Sequence, residues 1–150
     1  SKIDGNENEF EEVSLNEVCG LALEMIKVEV KENNVTFNIP ALPVIVADNI
    51  QMTRLFQNLF SNAIKYRSEA DPVISVDYEE KGDEITVYVK DNGMGFKQSA
   101  TDEIFAFMKR LNPHGSIPEI HCGTISAKST PGKGSTFFFT LPKRGKKPEY

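Results

Sequence analysis

Two stretches of the chain repeat apolar residues every three or four positions, which is the period of an α-helix with one buried face. The predicted helices run from Ser14 to about Lys31 and from Asn49 to about Ser68. Each opens at a residue that can cap it, Ser14 or Asp48, with Glu or Gln three positions later. The first helix is expected to face a sheet through an apolar stripe formed by Val18, Leu21, Ala22, Met25, Ile26 and Val30.

Six shorter segments are apolar runs or alternate apolar and polar residues, as β-strands do. The last four form two hairpins, because short turns that contain glycine separate the members of each pair. Helices together with antiparallel hairpins predict an α+β fold, a two-layer α/β sandwich whose mixed, mostly antiparallel sheet is covered on one face by helices. The six predicted strands are Val35–Ile39, Val44–Ala47, Val73–Tyr78, Ile85–Lys90, Thr124–Ser129 and Ser135–Leu141.

The second helix divides into an apolar half and a polar half when each residue is taken as a step of about 100°. Its polar half carries Asn58, Asn62 and Lys65, and Asn62 lies beside the apolar edge. Positions i and i+4 share a helix face, so the two amides lie one above the other. They are therefore expected to border a groove. Asparagines at a helix edge are also ordinary surface residues, so this pattern alone does not establish a site.

One predicted strand ends at Asp91 and is followed by a turn that contains Gly93 and Gly95. Asp-Asn-Gly is common in ordinary turns. A carboxylate can also accept a hydrogen bond from the exocyclic amine of a base, and glycine lets the backbone approach a ligand closely. Together with the amides and the lysine of the second helix, these residues outline a nucleotide site.

Four motifs in this order resemble the catalytic and ATP-binding domain of sensor histidine kinases, and the resemblance covers roughly Val13 to Pro142. It implies the Bergerat-type ATP-binding fold, which such kinases share with gyrase, heat-shock and mismatch-repair ATPases. The motifs are the N box Gln57–Tyr66, the G1 box Asp91–Phe96, the F box Ile104–Phe107 and the last glycine box Thr130–Phe137.

The resemblance implies ATP as the ligand and gives roles to the residues around the base. Asp91 would contact adenine, and Thr136 would support that contact. Tyr66 could stack against the base, while Gly93 and Gly95 would let the backbone lie close to it. Taken alone, Thr136 is equally well explained as an ordinary strand residue.

The resemblance also implies Mg²⁺ and a set of residues near the phosphates. Asn62 would bind the metal through its amide oxygen, a ligand type that Mg²⁺ prefers, and Asn58 would lie near it. Lys65 and Arg110 would direct positive charge toward phosphate, and Phe105 belongs to the F box beside the nucleotide, although aromatic residues also serve as ordinary core. We therefore predict Asn58, Lys65 and Arg110 as the catalytic set.

The residue at position 58 bears on the reaction. The related hydrolytic ATPases have a glutamate that activates water where this chain has Asn58. An amide cannot act as a general base near neutral pH. The resemblance therefore favours transfer of the phosphoryl group to another protein group over hydrolysis.

The chain departs from the family pattern after Arg110. The family has a flexible lid and then a Gly-x-Gly-x-Gly-Leu box that opens a helix, whereas here Pro118 is followed directly by Glu119. Either the protein lacks this segment or the sequence omits about a dozen residues. We favour omission, because a clean excision would leave the F-box segment without its helical connection to the next strand. If the protein truly lacks this segment, it also lacks the expected binding contacts to the triphosphate.

Charge and composition narrow the classes of partner. A net charge of −5 and a pI near 5.1 argue against nucleic acid as the main partner. No apolar stretch approaches the roughly 20 residues that span a bilayer, so we expect no membrane contact by this domain. Cys19 and Cys122 lack metal-ligand spacing and are predicted to be small core residues in a reducing, cytoplasmic setting. The expected organisation is a linker remnant at 1–12, the catalytic domain at 13–142 and a basic tail at 143–150.

The only histidines, His114 and His121, do not lie in the phosphoacceptor motif of these kinases, so both are interpreted as incidental. The acceptor histidine is then expected on a dimerisation and phosphotransfer domain, normally in the same polypeptide, with a response regulator as the further partner. We predict the ATP-binding catalytic domain of a two-component sensor histidine kinase. The alternative is an interaction module that has lost its phosphate grip, and a hydrolase of the same superfamily is disfavoured by Asn58.

Overall fold

The structure, a computed structural model, describes residues 10–95, 121 and 123–144. Within these ranges the chain forms three helices and seven strands. Their order is β1 (Phe10–Ser14), α1 (Leu15–Met25), α2 (Lys27–Glu32), β2 (Thr36–Asn38), β3 (Val44–Asp48), α3 (Asn49–Lys65), β4 (Val73–Lys81), β5 (Glu84–Asp91), β6 (Thr124–Thr130) and β7 (Gly134–Pro142).

The main sheet has five strands in the order β2-β4-β5-β7-β6. β2 and β4 run parallel and every other neighbouring pair runs antiparallel, while β1 and β3 form a separate antiparallel pair. Alternate residues of β5 and β7 are buried, and α1 and α3 contribute the opposite wall of the same core. The rings of Phe56 on α3 and Phe139 on β7 meet edge to face at 5.6 Å. The predicted α+β sandwich with a mixed, mostly antiparallel sheet is confirmed.

The first helical stretch differs from its prediction. It breaks at Ile26, whose ψ of 22° takes it out of helical geometry, and the β-branched residues that follow favour helix only weakly. Leu21 and Met25, which were expected to face the sheet, are 52% and 61% exposed. The helix is rotated so that its buried face follows the spacing i, i+3, i+4, i+7. That face consists of Leu15, Val18, Cys19 and Ala22.

Cys19 lies in this buried face, as predicted for a core thiol. Burial raises the pKa of its thiol to about 12, so the thiol stays protonated and unreactive at neutral pH. Cys122 and His114 lie outside the described residues. His121 is buried, its Nε2 accepts the N–H of Asp48 at 3.0 Å, and its ring lies 4.8 Å from that of Phe10. Its ring is therefore an integral part of the packing between β1 and the end of β3.

The second predicted helix begins at Asn49, where the Asp48 carboxylate accepts the N–H of Gln51 at 3.0 Å. It ends at Lys65, three residues before the expected end. The Tyr66 N–H still bonds to a helical carbonyl, but the Arg67 side chain then bonds to Ser68 and Ala70 and turns the chain away. A side chain that bonds to its own following backbone in this way competes with helix continuation.

The folded part extends beyond both predicted limits. Phe10 to Glu12, expected in a linker, belong to β1 and pair with β3. The Lys143 N–H donates to Asp83 O at 2.6 Å and its Nζ lies 3.1 Å from Glu80, so Lys143 is part of the domain rather than of a tail. Residues 1–9 and 145–150 lie outside the described ranges. Among the helices described, none combines the length and the apolar character that crossing a membrane requires.

Candidate functional site

A small cavity opens where α3, the end of β5 and the start of β7 meet. It has a volume of about 20 Å³, which is room for about one water molecule as its side chains stand. The side chains of Tyr66 and Met94, which are 44% and 50% exposed, do not pack in the core and lie near the cavity. The lining residues are Asn62, Ala63, Tyr66, Asp91, Gly95, Ser135 and Phe137.

Asp91 presents a preformed hydrogen-bond acceptor to this cavity. One carboxylate oxygen accepts the N–H of Gly93 at 2.8 Å, and the carboxylate also accepts the N–H of Ser135. Burial raises the pKa of the Asp91 carboxyl above its usual range, and these two N–H groups lower it in part. Two fixed donors leave a carboxylate whose remaining capacity can receive an amine from a ligand.

The raised pKa of Asp91 determines how folding stability and ligand binding change with pH. Because the folded pKa lies above the unfolded one, the buried charge costs folding free energy at neutral pH, and this cost disappears as pH falls below the ordinary aspartate range. A donor in the ligand needs the ionised form. The acceptor is therefore lost on acidification at a higher pH than an ordinary aspartate would show.

Ser135, rather than Thr136, lies on the cavity side of β7. In the register of the two strands Asp91 faces Ser135, while Thr136 faces Lys90 and lies on the opposite surface of the sheet. The predicted role of Thr136 in supporting Asp91 is therefore wrong. Its neighbour Ser135 takes that place through its N–H, and its hydroxyl lies 2.9 Å from that of Ser129. The alternation of the buried Phe137, Phe139 and Leu141 is the signal that could have identified Ser135.

Gly93 and Gly95 lie where the backbone packs closely. A Cβ on Gly93 would lie 2.6 Å from the carbonyl oxygen of Tyr66, and one on Gly95 would overlap the carbonyl of Thr130. The adjacent Met94 N–H donates to the Tyr66 carbonyl at 2.9 Å. Gly93 thus lets the turn after β5 lie directly against the end of α3, and Gly95 lets it lie against the turn between β6 and β7. Their predicted close approach to a ligand stays a prediction.

α3 contributes two amides to the site. Asn62 is 8% exposed and lines the cavity, while Asn58 lies one turn earlier and is half-buried. Neither side-chain amide makes a hydrogen bond to any residue in the described ranges. The Asn62 amide therefore keeps its hydrogen-bonding capacity for a group in the cavity.

Lys65 is not among the residues that line the cavity. It is exposed, and its ammonium lies 5.4 Å from the centre of the Tyr66 ring, which it contacts as a cation–π pair. Phe105, Arg110 and the rest of the F box lie outside the described residues, as does the junction between Pro118 and Glu119. The structure therefore brings together Asn62, Tyr66, Asp91 and Gly95, with the other two site residues of α3 beside them.

A larger and shallower depression lies on the opposite surface of the sheet. It has a volume of about 840 Å³, and its lining includes Asn38, Asp77, Tyr88, Lys90 and Thr136. Its polar groups carry charges of both signs and no glycine turn approaches it. The smaller cavity, where the fixed Asp91 carboxylate and the Asn62 amide converge, is therefore the better candidate site. No group of three or more potential metal ligands from His, Cys, Asp and Glu occurs in the part of the chain that the structure covers.

Comparison with known proteins agrees with this geometry. The family described as histidine kinase-, DNA gyrase B-, and HSP90-like ATPase matches residues 47–145. Cyanobacterial phytochrome A of Nostoc sp. is 34% identical over 162 residues, which cover 99% of this chain and 21% of that protein. That alignment is longer than the chain, so the relative has residues without a counterpart here. That these residues are the lid segment, and that the sequence omits them between Pro118 and Glu119, stays a prediction.

Two further similarities lie within sensor kinases. The sensor histidine kinase ZraS of Klebsiella oxytoca is 32% identical over 149 residues, which cover 91% of this chain and 32% of that protein. The solved catalytic domain of the histidine kinase ThkA has a TM-score of 0.76 at 23% identity, covering 92% of this chain and 99% of that one. The chain spans about a fifth of the length of phytochrome relatives such as the Nostoc protein.

Proposed function

The chain belongs to the histidine kinase-, DNA gyrase B-, and HSP90-like ATPase family, and we propose that it is the domain that binds Mg-ATP in a two-component sensor histidine kinase. In this proposal it passes the γ-phosphate to a histidine on a separate phosphoacceptor domain. The observation that carries the proposal is the half-buried Asp91 carboxylate, held by two backbone N–H groups at the rim of a cavity that the Asn62 side chain also lines. The alternative of a module without nucleotide is not favoured, because these groups have no other evident use.

Asp91 supports the choice of adenine over guanine. A carboxylate accepts hydrogen bonds and cannot donate them when ionised. Adenine has an exocyclic amine at the position where guanine has a carbonyl oxygen. The amine can donate to Asp91, whereas the carbonyl would place a second acceptor against the half-buried negative charge of Asp91. The arrangement therefore discriminates by attraction for one base and by repulsion of the other.

Asn62 fits a bound Mg²⁺. Its amide oxygen is a hard donor of the kind that this ion accepts, together with water and phosphate oxygens. The metal would neutralise charge on the phosphates, which is what phosphoryl transfer requires of the protein and its ions. In this proposal Asn58 lies near the phosphates, as does Lys65 after its side chain turns from Tyr66. Arg110 and Phe105 are proposed to complete the site.

The amide at position 58 supports transfer rather than hydrolysis. Activation of water needs a group that can take a proton near neutral pH, and Asn58 cannot do so. The domain would then hold ATP until an acceptor histidine approaches. We propose that this acceptor lies on a dimerisation and phosphotransfer domain, that a response regulator receives the phosphoryl group afterwards, and that the whole process takes place in the cytoplasm.

Asn62→Ala is expected to weaken Mg-ATP binding by about ten- to hundredfold while changing the affinity for metal-free ATP much less. The physical reason is that the variant loses the oxygen offered to the metal. Calorimetric titrations with Mg²⁺ and with EDTA measure the two affinities. Asn58→Ala is the comparison variant, since it removes the same group one turn away and should have a smaller effect. An equal loss with and without Mg²⁺ would mean that Asn62 has only a structural role.

The reaction itself is tested with radiolabelled ATP. The domain alone is expected to hydrolyse ATP very slowly and not to label itself, because it lacks an acceptor histidine and a basic residue at position 58. Mixed with the phosphoacceptor domain of the same protein, it should label one histidine there. That label should be lost in acid and stable in base. Rapid hydrolysis by the domain alone, or an acid-stable label on serine, would contradict the proposal.

A further inference from the structure

Arg67, two residues after the end of α3, joins two segments of backbone with one guanidinium. Its Nη1 donates to both the carbonyl and the side-chain oxygen of Asn33, each at 3.2 Å. Its Nε and Nη2 donate to the carbonyls of Ser68 and Ala70, again at 3.2 Å, and Asp71 lies 3.7 Å from Nη2. Only 28% of the side chain is exposed. The guanidinium thus ties residues 66–72, here called the connecting loop, to the end of α2.

The connecting loop in turn holds the turn after β5. The Tyr66 carbonyl accepts the Met94 N–H at 2.9 Å, and the Ser68 hydroxyl donates to the Asn92 carbonyl at 3.3 Å. The Asn92 side chain also donates to the Asp71 carbonyl at 3.1 Å and accepts the Val73 N–H at 2.8 Å. Three of these four hydrogen bonds connect the loop to residues 91–95, here called the base loop, and the fourth joins the base loop to Val73, the first residue of β4. Asp91 and Gly95, which line the cavity, are its two ends.

We propose that Arg67 is a positioning residue for base recognition. It does not line the cavity itself. By fixing the connecting loop it places the Tyr66 carbonyl that receives the base loop, and it thereby aligns the Asp91 carboxylate. This inference rests on the proposed function, since it deepens the account of how the same site reads adenine.

The chemistry of the side chain explains why arginine is needed. Its four acceptors lie in two segments: two oxygens of Asn33, and the carbonyls of Ser68 and Ala70. A planar guanidinium can bond to all of them, because its five N–H donors point outward in fixed directions. A lysine ammonium has all three donors on one atom at the end of a flexible chain, so it cannot reach the same set. Arg67→Lys is therefore expected to behave like a loss of the residue, even though the charge is retained.

The test compares nucleotide affinity in Arg67→Lys and Arg67→Gln with the wild-type domain, well below the temperature of unfolding. Both ATP and ADP are expected to bind about three- to thirtyfold more weakly, by the same factor, because the effect reaches the base and not the phosphates. With the phosphoacceptor domain present, KM for ATP should rise while kcat at saturating ATP is unchanged. Arg144→Gln is the matched control, since Arg144 lies at the opposite end of the sheet, just beyond the Pro142–Glu84 pair, and is exposed.

A second variant keeps the test decisive if the Arg67 variants fold poorly. Asn33→Ala removes only one of the four acceptors. It should weaken the binding of both ATP and ADP, but by less than the Arg67 variants do. In the double variant the two effects should not add, because both act through one contact. Amide exchange at Met94 should be faster in each variant.

The outcomes separate the inference from the proposed function. Lower thermal stability with unchanged affinity of the folded Arg67 variants would overturn the inference alone, as would a change in kcat without a change in KM. If the wild-type domain binds no adenine nucleotide, the proposed function fails and the inference fails with it. A matched loss for ATP and ADP, absent in Arg144→Gln, supports both.

Discussion

Asp91→Asn is expected to weaken ATP binding by about 1.5–3 kcal/mol, or roughly ten- to a hundredfold in Kd. The substitution keeps the shape of the side chain but replaces one acceptor oxygen with a donor. A charge-assisted hydrogen bond from the adenine amine is thereby lost. Calorimetric titration at neutral pH measures the change.

In Asp91→Asn, the affinity for ATP should fall without a matching loss of folding stability. Because burial raises the pKa of Asp91, its charge costs folding free energy at neutral pH, and removing the charge should not destabilise the domain on that account. Asp83→Asn, in the exposed turn between β4 and β5, is the matched control and should bind ATP as the wild type does. An unchanged affinity in Asp91→Asn would remove the carboxylate from the account of base recognition.

Gly134→Ala should have the largest effect on stability. Gly134 has a φ of 114°, and a Cβ there would overlap the backbone oxygen of Asp91. The variant must adopt a conformation that side chains disfavour and must also push β5 away from β7. We expect a loss of about 3 kcal/mol or more in the free energy of unfolding. Nucleotide binding should also weaken, because the displaced residue, Asp91, is the proposed partner of the adenine amine.

Gly132→Ala separates the two causes of that loss. Gly132 also has a positive φ, 80°, but a Cβ there meets no atom within 4 Å. Gly132→Ala should lower the free energy of unfolding only by the cost of placing a side chain at a positive φ, about 1–2 kcal/mol. Urea unfolding of the two variants measures the difference. Equal losses would show that the close approach of Gly134 to Asp91 contributes nothing.

The fold and most of the α3 and base-loop residues follow from local patterns. The period of α3, the capping residues and the two hairpins are properties of neighbouring residues, and they predict the sandwich. The Asp-Asn-Gly turn after a strand brings Asp91 and Gly95 to the cavity, because a strand end and a glycine turn are both local features. The motif order then indicates the family, which the match over residues 47–145 shows.

The errors arise where a choice depends on distant packing. Leu21 and Met25 have helical spacing like their buried neighbours, and only the position of α3 decides which side of α1 is covered. Thr136 and Ser135 are adjacent, and the pairing of β7 with β5 decides which of them faces the cavity. A shift of one residue in register exchanges the two faces of a strand.

Arg67 was not predicted at all, because its partners are not recognisable in the sequence. Asn33 lies 34 positions away along the chain. Its role becomes visible only when the end of α2 and the connecting loop are seen together. The same reason explains why the sequence placed the end of α3 three residues too late.

This cavity is proposed to select adenine nucleotides through the half-buried carboxylate of Asp91. Calorimetric titrations of the wild-type domain with ATP and with GTP, both with Mg²⁺ and at neutral pH, test this proposal. We expect clear binding of ATP and an affinity for GTP at least about tenfold lower. Equal affinities for ATP and GTP would contradict it.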